Sequence, residues 1–227
     1  MIKAVLFDLD GTLLNREISL ERFIDHQYER LRKHLSHIPK ESYTKRFIEL
    51  DCNGYVWKDK VYSLMIEEFI MEDVSLEFLL QDYLLEFKNY CVPFPSLISV
   101  LKALRKESLF LGMITNGRNP FQVENIDALG IKNYFHTILV SESEGIKKPN
   151  PKIFISALQR LGVQPEESIY VGDHLENDVI ASKRVGMISV WKRPNRVGDT
   201  HPDADFIIHD LAELLSILPL KDRRLPK

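Results

Sequence analysis

Between Asn15 and Val92 the chain holds one glycine, Gly54, and one proline, Pro39, although its 227 residues include ten glycines and eleven prolines. So long a run without breakers excludes a loop-rich or strand-and-turn organisation there. Cysteine is scarce as well: Cys52 and Cys91 are the only two, with no CxxC and no histidine at ligand spacing. That excludes a disulfide framework and a zinc site, and the two thiols are expected to be buried in a reducing compartment. No apolar run approaches the ~18 residues of a membrane span. The N-terminal apolar run meets Asp8 and Asp10 where a cleavage site would be needed, so no signal peptide is expected. Neither charge sign dominates, the net charge being -3, which argues against nucleic acid and against a membrane surface as partners. The expectation is a cytoplasmic globular protein, long enough for one large domain with a modest insertion. Whether it forms a homo-oligomer is left open by the sequence.

What fills the breaker-poor stretch is helical periodicity. Leu20, Phe23, Ile24, Tyr28, Leu31 and Leu35 recur at helical spacing, with Ser19 as a candidate N-cap. Further helices are expected over about 41–50, 58–71 and from Ser75 through Phe87. Twelve of the 22 aromatic residues lie in this stretch, and at that spacing they read as the core of a small helical bundle.

The remainder alternates. Apolar runs at 109–114, 137–140, 168–171, 188–191 and 206–208 are separated by amphipathic segments ending near Lys106, Leu129, Leu161, Val185 and Ile217. Regular alternation of strand and helix predicts an α/β fold with a doubly wound, mostly parallel, Rossmann-like sheet. The organisation expected is a core of residues 1–14 and 93–227, with a helical cap of residues 15–92 inserted after the first strand. Lys221 to Lys227 reads as a frayed basic tail.

Ligands of such a sheet bind at the carboxyl ends of its strands, so the residues after each apolar run carry the chemistry. Val5-Leu6-Phe7 is followed by Asp8-Leu9-Asp10-Gly11-Thr12. Residues i and i+2 of an extended segment point the same way, so both carboxylates are expected to face one small volume. Two acids in one place need a cation or a shared proton. Met113-Ile114 is followed by Thr115-Asn116-Gly117, and Ile169-Tyr170-Val171 by Gly172-Asp173, with Asp178 five residues on. Lys148 precedes Pro149-Asn150-Pro151, where Asn150 suits an N-cap and Pro151 a first helical residue. A cation beside a helix N-terminus is a favourable neighbour for phosphate.

This set of motifs, in this order and spacing, resembles the haloacid dehalogenase superfamily of aspartate-nucleophile phosphohydrolases. Asp8-Leu9-Asp10-Gly11-Thr12 resembles its first motif, Thr115 its second, Lys148 its third, and Gly172-Asp173 with Asp178 its fourth. The helical insertion resembles the cap of phosphoglycolate phosphatase-like, acylneuraminate-9-phosphatase-like and nucleotidase-like members. The resemblance implies a Mg²⁺-dependent phosphomonoesterase of a small phosphorylated metabolite, a sugar phosphate or nucleoside monophosphate, working through an aspartyl phosphate. It implies Asp8 as nucleophile and Asp10 as general acid and base, its backbone carbonyl a metal ligand. Asp173 would bind Mg²⁺ with Asp8, and Asp178 would be a further ligand or support. Thr115, the amide of Asn116 and Lys148 would hold the phosphoryl group. A cation is electrostatically required: a dianion ~4 Å from a carboxylate meets about 4 kcal/mol of repulsion per charge pair at an effective dielectric near 20.

Duller readings stand beside these. Asp10 can be a turn former, and Asp178 a helix-start acid complementing the dipole. Lys147 and Lys152 read as solvated, and the seven histidines as structural or surface residues. Tyr55, Trp57, Lys58 and Lys60 follow the turn Asp51-Cys52-Asn53-Gly54 and can contact substrate, as can Arg118 after the second motif. A calcium loop at Asp51 to Gly54 is dismissed for want of its remaining ligands. Among rival activities, a true dehalogenase lacks an acid two residues after its nucleophile, so Asp10 argues against it. A phosphonatase needs a desolvated cap lysine, which nothing here marks. A receiver-type signalling domain places its lysine last, whereas Lys148 precedes Asp173. A phosphomutase shares every core residue named, and a non-catalytic phosphate-binding protein usually loses one of them.

Overall fold

The computed structural model describes residues 1–193 and 201–218, so the basic segment Lys221 to Lys227 lies outside the described residues. The chain divides into two compact units, Met1–Asn15 together with the described residues from Pro93 onward, and Arg16–Val92.

The first unit is built on a six-stranded sheet, every neighbouring pair parallel. In chain order the strands are β1 (Ala4–Phe7), β2 (Phe110–Thr115), β3 (Thr137–Val140), β4 (Ser168–Gly172), β5 (Ile188–Lys192) and β6 (Phe206–Ile208). Their spatial order, β3-β2-β1-β4-β5-β6, is that of a Rossmann-like doubly wound sheet. All four residues of β1 are buried, as both faces of a parallel sheet must be when helices cover them. The crossover helices bury one stripe each. Leu97–Lys106 inserts Leu97, Val100, Leu101 and Leu104, and Pro151–Leu161 inserts Ile153, Phe154, Ala157, Leu158 and Leu161. Asn150 caps the latter as expected, accepting from the Lys152 amide at 3.0 Å.

Phe7 of β1 pairs in register with Met113 of β2 and Val171 of β4. The chain reverses direction across the sheet at β1, with β2 on one side and β4 on the other, which makes their carboxyl ends the topological switch point.

The second unit is all helical: Arg16–Arg30, a short turn of helix at Arg32–Leu35, Lys40–Asp51, Lys58–Phe69 and Leu76–Glu86. Half of its twelve aromatics, Phe23, Tyr43, Phe47, Tyr62, Tyr83 and Phe87, are almost fully buried in the core, while Tyr55 and Phe78 are exposed. Ser75 caps the last helix by accepting from the Phe78 amide at 3.1 Å. Two expectations fail here. Ser19 is no N-cap: the helix starts at Arg16, and the buried Ser19 hydroxyl accepts from the Val92 amide at 2.9 Å. The thiols are not buried, because Cys52 sits in left-handed backbone (φ 48°) at a helix end and is exposed, while Cys91 is half-buried.

Candidate active site

β1 ends at Phe7, and the Asp8 amide still donates to the Val171 carbonyl at 2.9 Å, so β4 fixes the first residue beyond the strand. The backbone then leaves the extended conformation. Leu13 and Leu14 both donate back to the Leu9 carbonyl at 2.9 Å, closing a tight loop around Gly11. Gly11 has φ +78°, and a Cβ there would stand 2.2 Å from Asp173 Oδ2, so only glycine lets the loop approach the acid. Gly172 meets the same demand from below, since its Cβ would stand 2.3 Å from the Cβ of Asp178.

Three carboxylates converge on this rim. Asp8, Asp173 and Asp178 each place an oxygen within 4.8 Å of the other two. Lys148 enters from the segment before the Pro151–Leu161 helix, its Nζ 2.6 Å from Asp8 Oδ1 and 2.6 Å from Asp178 Oδ1. The Tyr170 hydroxyl lies 3.0 Å from the same Nζ. Asp178 is further held by the His174 amide at 3.0 Å. It is 1% exposed, so a merely solvated helix-start acid does not describe it. The segment carrying it, Leu175–Ile180, is a wide π-type turn in which Val179 donates to the His174 carbonyl at 3.3 Å. Such a turn often marks a functional site.

The charges do not balance. Three acids surround one ammonium, so with all of them ionised the buried volume would hold an excess of two negative charges. The titration behaviour follows from that. Burial raises the Asp8 carboxyl well above its ordinary range; Lys148 opposes this, while Asp178 and Asp173 add to it. Asp173 is pushed up to about 6 by burial and by Asp178. Burial works to lower Lys148, but Asp178 and Asp8 outweigh it and hold the ammonium charged far into the alkaline range. An all-oxygen cluster with two surplus negative charges fits a hard divalent cation.

Asp10 is not one of the three acids that share this 4.8 Å spacing, although its charge still acts on Asp173. Its Oδ2 accepts from Gln122 Nε2 at 2.7 Å. The same nitrogen donates to Thr115 Oγ1 at 2.7 Å. Asn116 pairs with the backbone of Lys148 in both directions, accepting from its amide at 2.9 Å and donating to its carbonyl at 3.0 Å. That double bond of side chain to backbone locks the end of β2 to the segment carrying the lysine.

Several partners were assigned no role from the sequence. Gln122 opens the Phe121–Ala128 helix; Tyr170 is an inner strand residue; Thr12 Oγ1 donates to Asp173 Oδ1 at 3.3 Å. Trp191 Nε1 donates to the Asp173 carbonyl at 2.8 Å, and Lys192 Nζ to the Gly11 carbonyl at 3.0 Å. Lys147, Lys152 and Arg118 are exposed. In the helical unit, Tyr55 is 64% exposed and Lys60 is exposed, whereas Lys58 is buried against Asp51. Arg16 forks onto the same Asp51 carboxylate at 2.8 and 2.9 Å. Lys58 is thus tied up as an ammonium, which suits no Schiff base, and Asp51 is occupied by cations of the chain itself.

Comparison with known proteins places this geometry. The model of the haloacid dehalogenase-like hydrolases matches residues 5–192. A glyceraldehyde 3-phosphate phosphatase of Methanopyrus kandleri is 42% identical over a segment spanning 57% of this chain and 58% of that protein. One of Methanocaldococcus jannaschii is 31% identical over 96% of this chain and 97% of its own length. A solved HAD phosphatase from Thermococcus onnurineus superposes with a TM-score of 0.71 at 32% identity, covering 98% of this chain and all of that one. The chain belongs to the haloacid dehalogenase-like hydrolase family, among its phosphatases, which hydrolyse phosphoric monoesters.

Proposed function

We propose that the chain is a Mg²⁺-dependent phosphatase of a small sugar phosphate, with Asp8 as its nucleophile. The observation that supports this most directly is the buried Lys148 bound at once to Asp8 and Asp178, beside Asp173. Lys148 favours the ionised form of Asp8 against the burial that raises it, aims its carboxylate oxygen, and offers a cation to an incoming phosphoryl oxygen. Asp8, Asp173, Asp178 and the backbone carbonyl of Asp10 are the residues that would hold Mg²⁺. Once bound, the ion neutralises the negative charge that the substrate phosphate and the Asp8 carboxylate bring together.

The chemistry divides between two acids. A carboxylate oxygen of Asp8 attacks phosphorus and the ester P–O bond breaks, while the protonated Asp10 gives its proton to the leaving alkoxide. Asp10, now a carboxylate, then takes a proton from water as the water oxygen attacks the aspartyl phosphate. The bond to Asp8 breaks, inorganic phosphate leaves, and Asp10 is protonated again. The Thr115 hydroxyl and the Asn116 amide would donate to the phosphoryl oxygens during both transfers, a contribution of about 2.7–4 kcal/mol per donor.

The relatives named as glyceraldehyde 3-phosphate phosphatases make a three-carbon phosphorylated aldehyde the first substrate to try. Acid quenching during turnover, followed by peptide mapping, should find the phosphoryl group on the peptide containing Asp8. Phosphate on another residue, or on none under single-turnover conditions, would sink the mechanism. A panel of sugar phosphates and nucleoside monophosphates should rank short sugar phosphates first.

A further inference from the structure

Gln122 is 2% exposed and is not among the residues that touch a phosphoryl group in the reading above. Its amide nitrogen nonetheless bridges two that act in it: Asp10 Oδ2 and Thr115 Oγ1, both at 2.7 Å. The Asp10 oxygen that carries no proton only accepts, so the NH₂ side of the amide faces Oδ2. Its two hydrogens are then taken, one by the carboxylate and one by the hydroxyl. The longer approach to the Asn116 carbonyl, 3.4 Å, is secondary. Asn125 Nδ2 approaches Gln122 Oε1 from behind at 3.4 Å, consistent with the same orientation of the amide.

Two consequences follow from this geometry. Thr115 accepts from Gln122, so its own hydrogen points away from the amide and is available to a donor role toward the substrate. Asp10 has one carboxylate oxygen anchored, which leaves the other as the oxygen that carries the proton to and from the reacting groups. Packing leaves room for the contact: a Cβ on Gly117 would come within 2.6 Å of the Gln122 side chain, so glycine two residues past β2 admits it. We propose that Gln122 is the positioning residue of the acid/base step, fixing which oxygen of Asp10 exchanges protons and which way the Thr115 hydroxyl points. This rests on the assignment of Asp10 as acid and base.

The test compares wild type, Gln122→Met, Asp10→Asn and the double variant on two substrates with Mg²⁺ supplied. An alkyl phosphate needs a proton on its departing oxygen, whereas p-nitrophenyl phosphate releases a stable phenolate without one. Gln122→Met should lower kcat for the alkyl ester by ~10–100-fold, within the range of general acid catalysis and of small misplacements. The first-turnover release of p-nitrophenol should fall several-fold less, with phosphoenzyme then accumulating because the second step also needs Asp10. In the Asp10→Asn background the same substitution should leave the alkyl-to-aryl ratio unchanged within about twofold, since the group it positions is gone. An equal fall on both substrates, or the full alkyl-selective loss repeated in the Asp10→Asn background, would overturn the proposal. Failure of the underlying assignment looks different: Asp10→Asn by itself would leave the alkyl-to-aryl ratio unaltered. Should Gln122→Met not fold, Gln122→Asn keeps a buried amide drawn back by one methylene and is expected to give the same alkyl-selective loss.

Discussion

Each unit of this protein buries one lysine against aspartate, and the two arrangements have opposite charge. In the α/β unit, Lys148 faces Asp8 and Asp178 at 2.6 Å, with Asp173 beside them, so acids are in surplus. In the helical unit, Asp51 receives both Lys58 and the Arg16 fork, so cations are in surplus. The carboxyls respond accordingly. Asp8 is raised by burial and by its acidic neighbours, more than Lys148 can offset. Burial works to raise Asp51 too, but Arg16 and Lys58 hold it below its ordinary range. Asp51 also accepts from the Gly54 amide at 2.8 Å, so its lone pairs are engaged by the chain around it. A carboxylate satisfied by its own chain is a staple. A carboxylate left short of positive charge is waiting for a ligand, which is how electrostatics separates a structural pair from a reactive one.

The sharpest way to break the comparison is to make the same substitution in both places. Asp8→Asn should remove phosphatase activity by at least about 10⁴-fold, because the nucleophile is gone. It should leave thermal stability unchanged or higher, since Lys148 keeps Asp178 and one of three crowded acids is neutralised. Asp51→Asn should do the reverse. It leaves the Arg16 and Lys58 charges facing one another without their shared carboxylate, a loss of about 3–5 kcal/mol for a broken buried pair. Urea melts and steady-state rates on both variants decide the matter. A large stability loss in Asp8→Asn, or none in Asp51→Asn, would show that the two sites are not of different kinds.

The next effect in size is that of the metal. At 100 times its dissociation constant, Mg²⁺ should stabilise the protein by about 2.7 kcal/mol, as any ligand of the folded state does. Asp173→Asn should blunt this shift and Asp51→Asn should not change it. Chelator should abolish activity, and Mg²⁺ should restore it. Calorimetry with and without the ion checks the first claim, and an equal shift in all three proteins would remove the α/β cluster as its site.

The sheet and the acids at its edge were legible because they are local. Strand ends are marked by where apolar runs stop; Asp8 and Thr115 follow such a run directly, and Asp173 follows one glycine later. Lys148 was legible through its proline context. What escaped were partners defined only by folding. Gln122 reaches Asp10 across 112 positions of sequence, and nothing about a glutamine in the first turn of a helix announces that. Lys58 looked like one of four equivalent candidates in its loop, and only burial against Asp51 separates it from Lys60 and Tyr55. The Ser19 assignment failed because serine is as well suited to a buried backbone contact as to a cap, and Val92 supplied that contact from 73 residues away.

The smallest effect expected tests whether the α/β unit holds a cation that its acids do not explain. Lys192 is 1% exposed, donates to the Gly11 carbonyl at 3.0 Å and stands 3.1 Å from the centroid of the Phe94 ring. Burial lowers it to about 8, although Asp173 and Asp210 both act to raise it. The folded protein therefore binds fewer protons here than the unfolded chain between pH 8 and the ordinary lysine value of about 10.4. Stability contributed at this position should rise across that window and be depressed below it. Lys192→Met removes the titration, so the stability difference between wild type and variant should shift by about 1–2 kcal/mol in favour of wild type from pH 8 to 10, discounted for relaxation around the site. Asp51, whose carboxyl is also lowered, gives a slope of the same sign in the other unit, but at acid pH. Its contribution is complete above the ordinary carboxylate value near 3.9 and is lost as pH falls below it, a slope that Asp51→Asn erases. Urea melts of the two variants against wild type at pH 3 to 5 and 8 to 10 separate the two limbs. A pH-independent difference for Lys192→Met would mean that this lysine keeps its ordinary titration in the folded state, and that burial does not disfavour its charge.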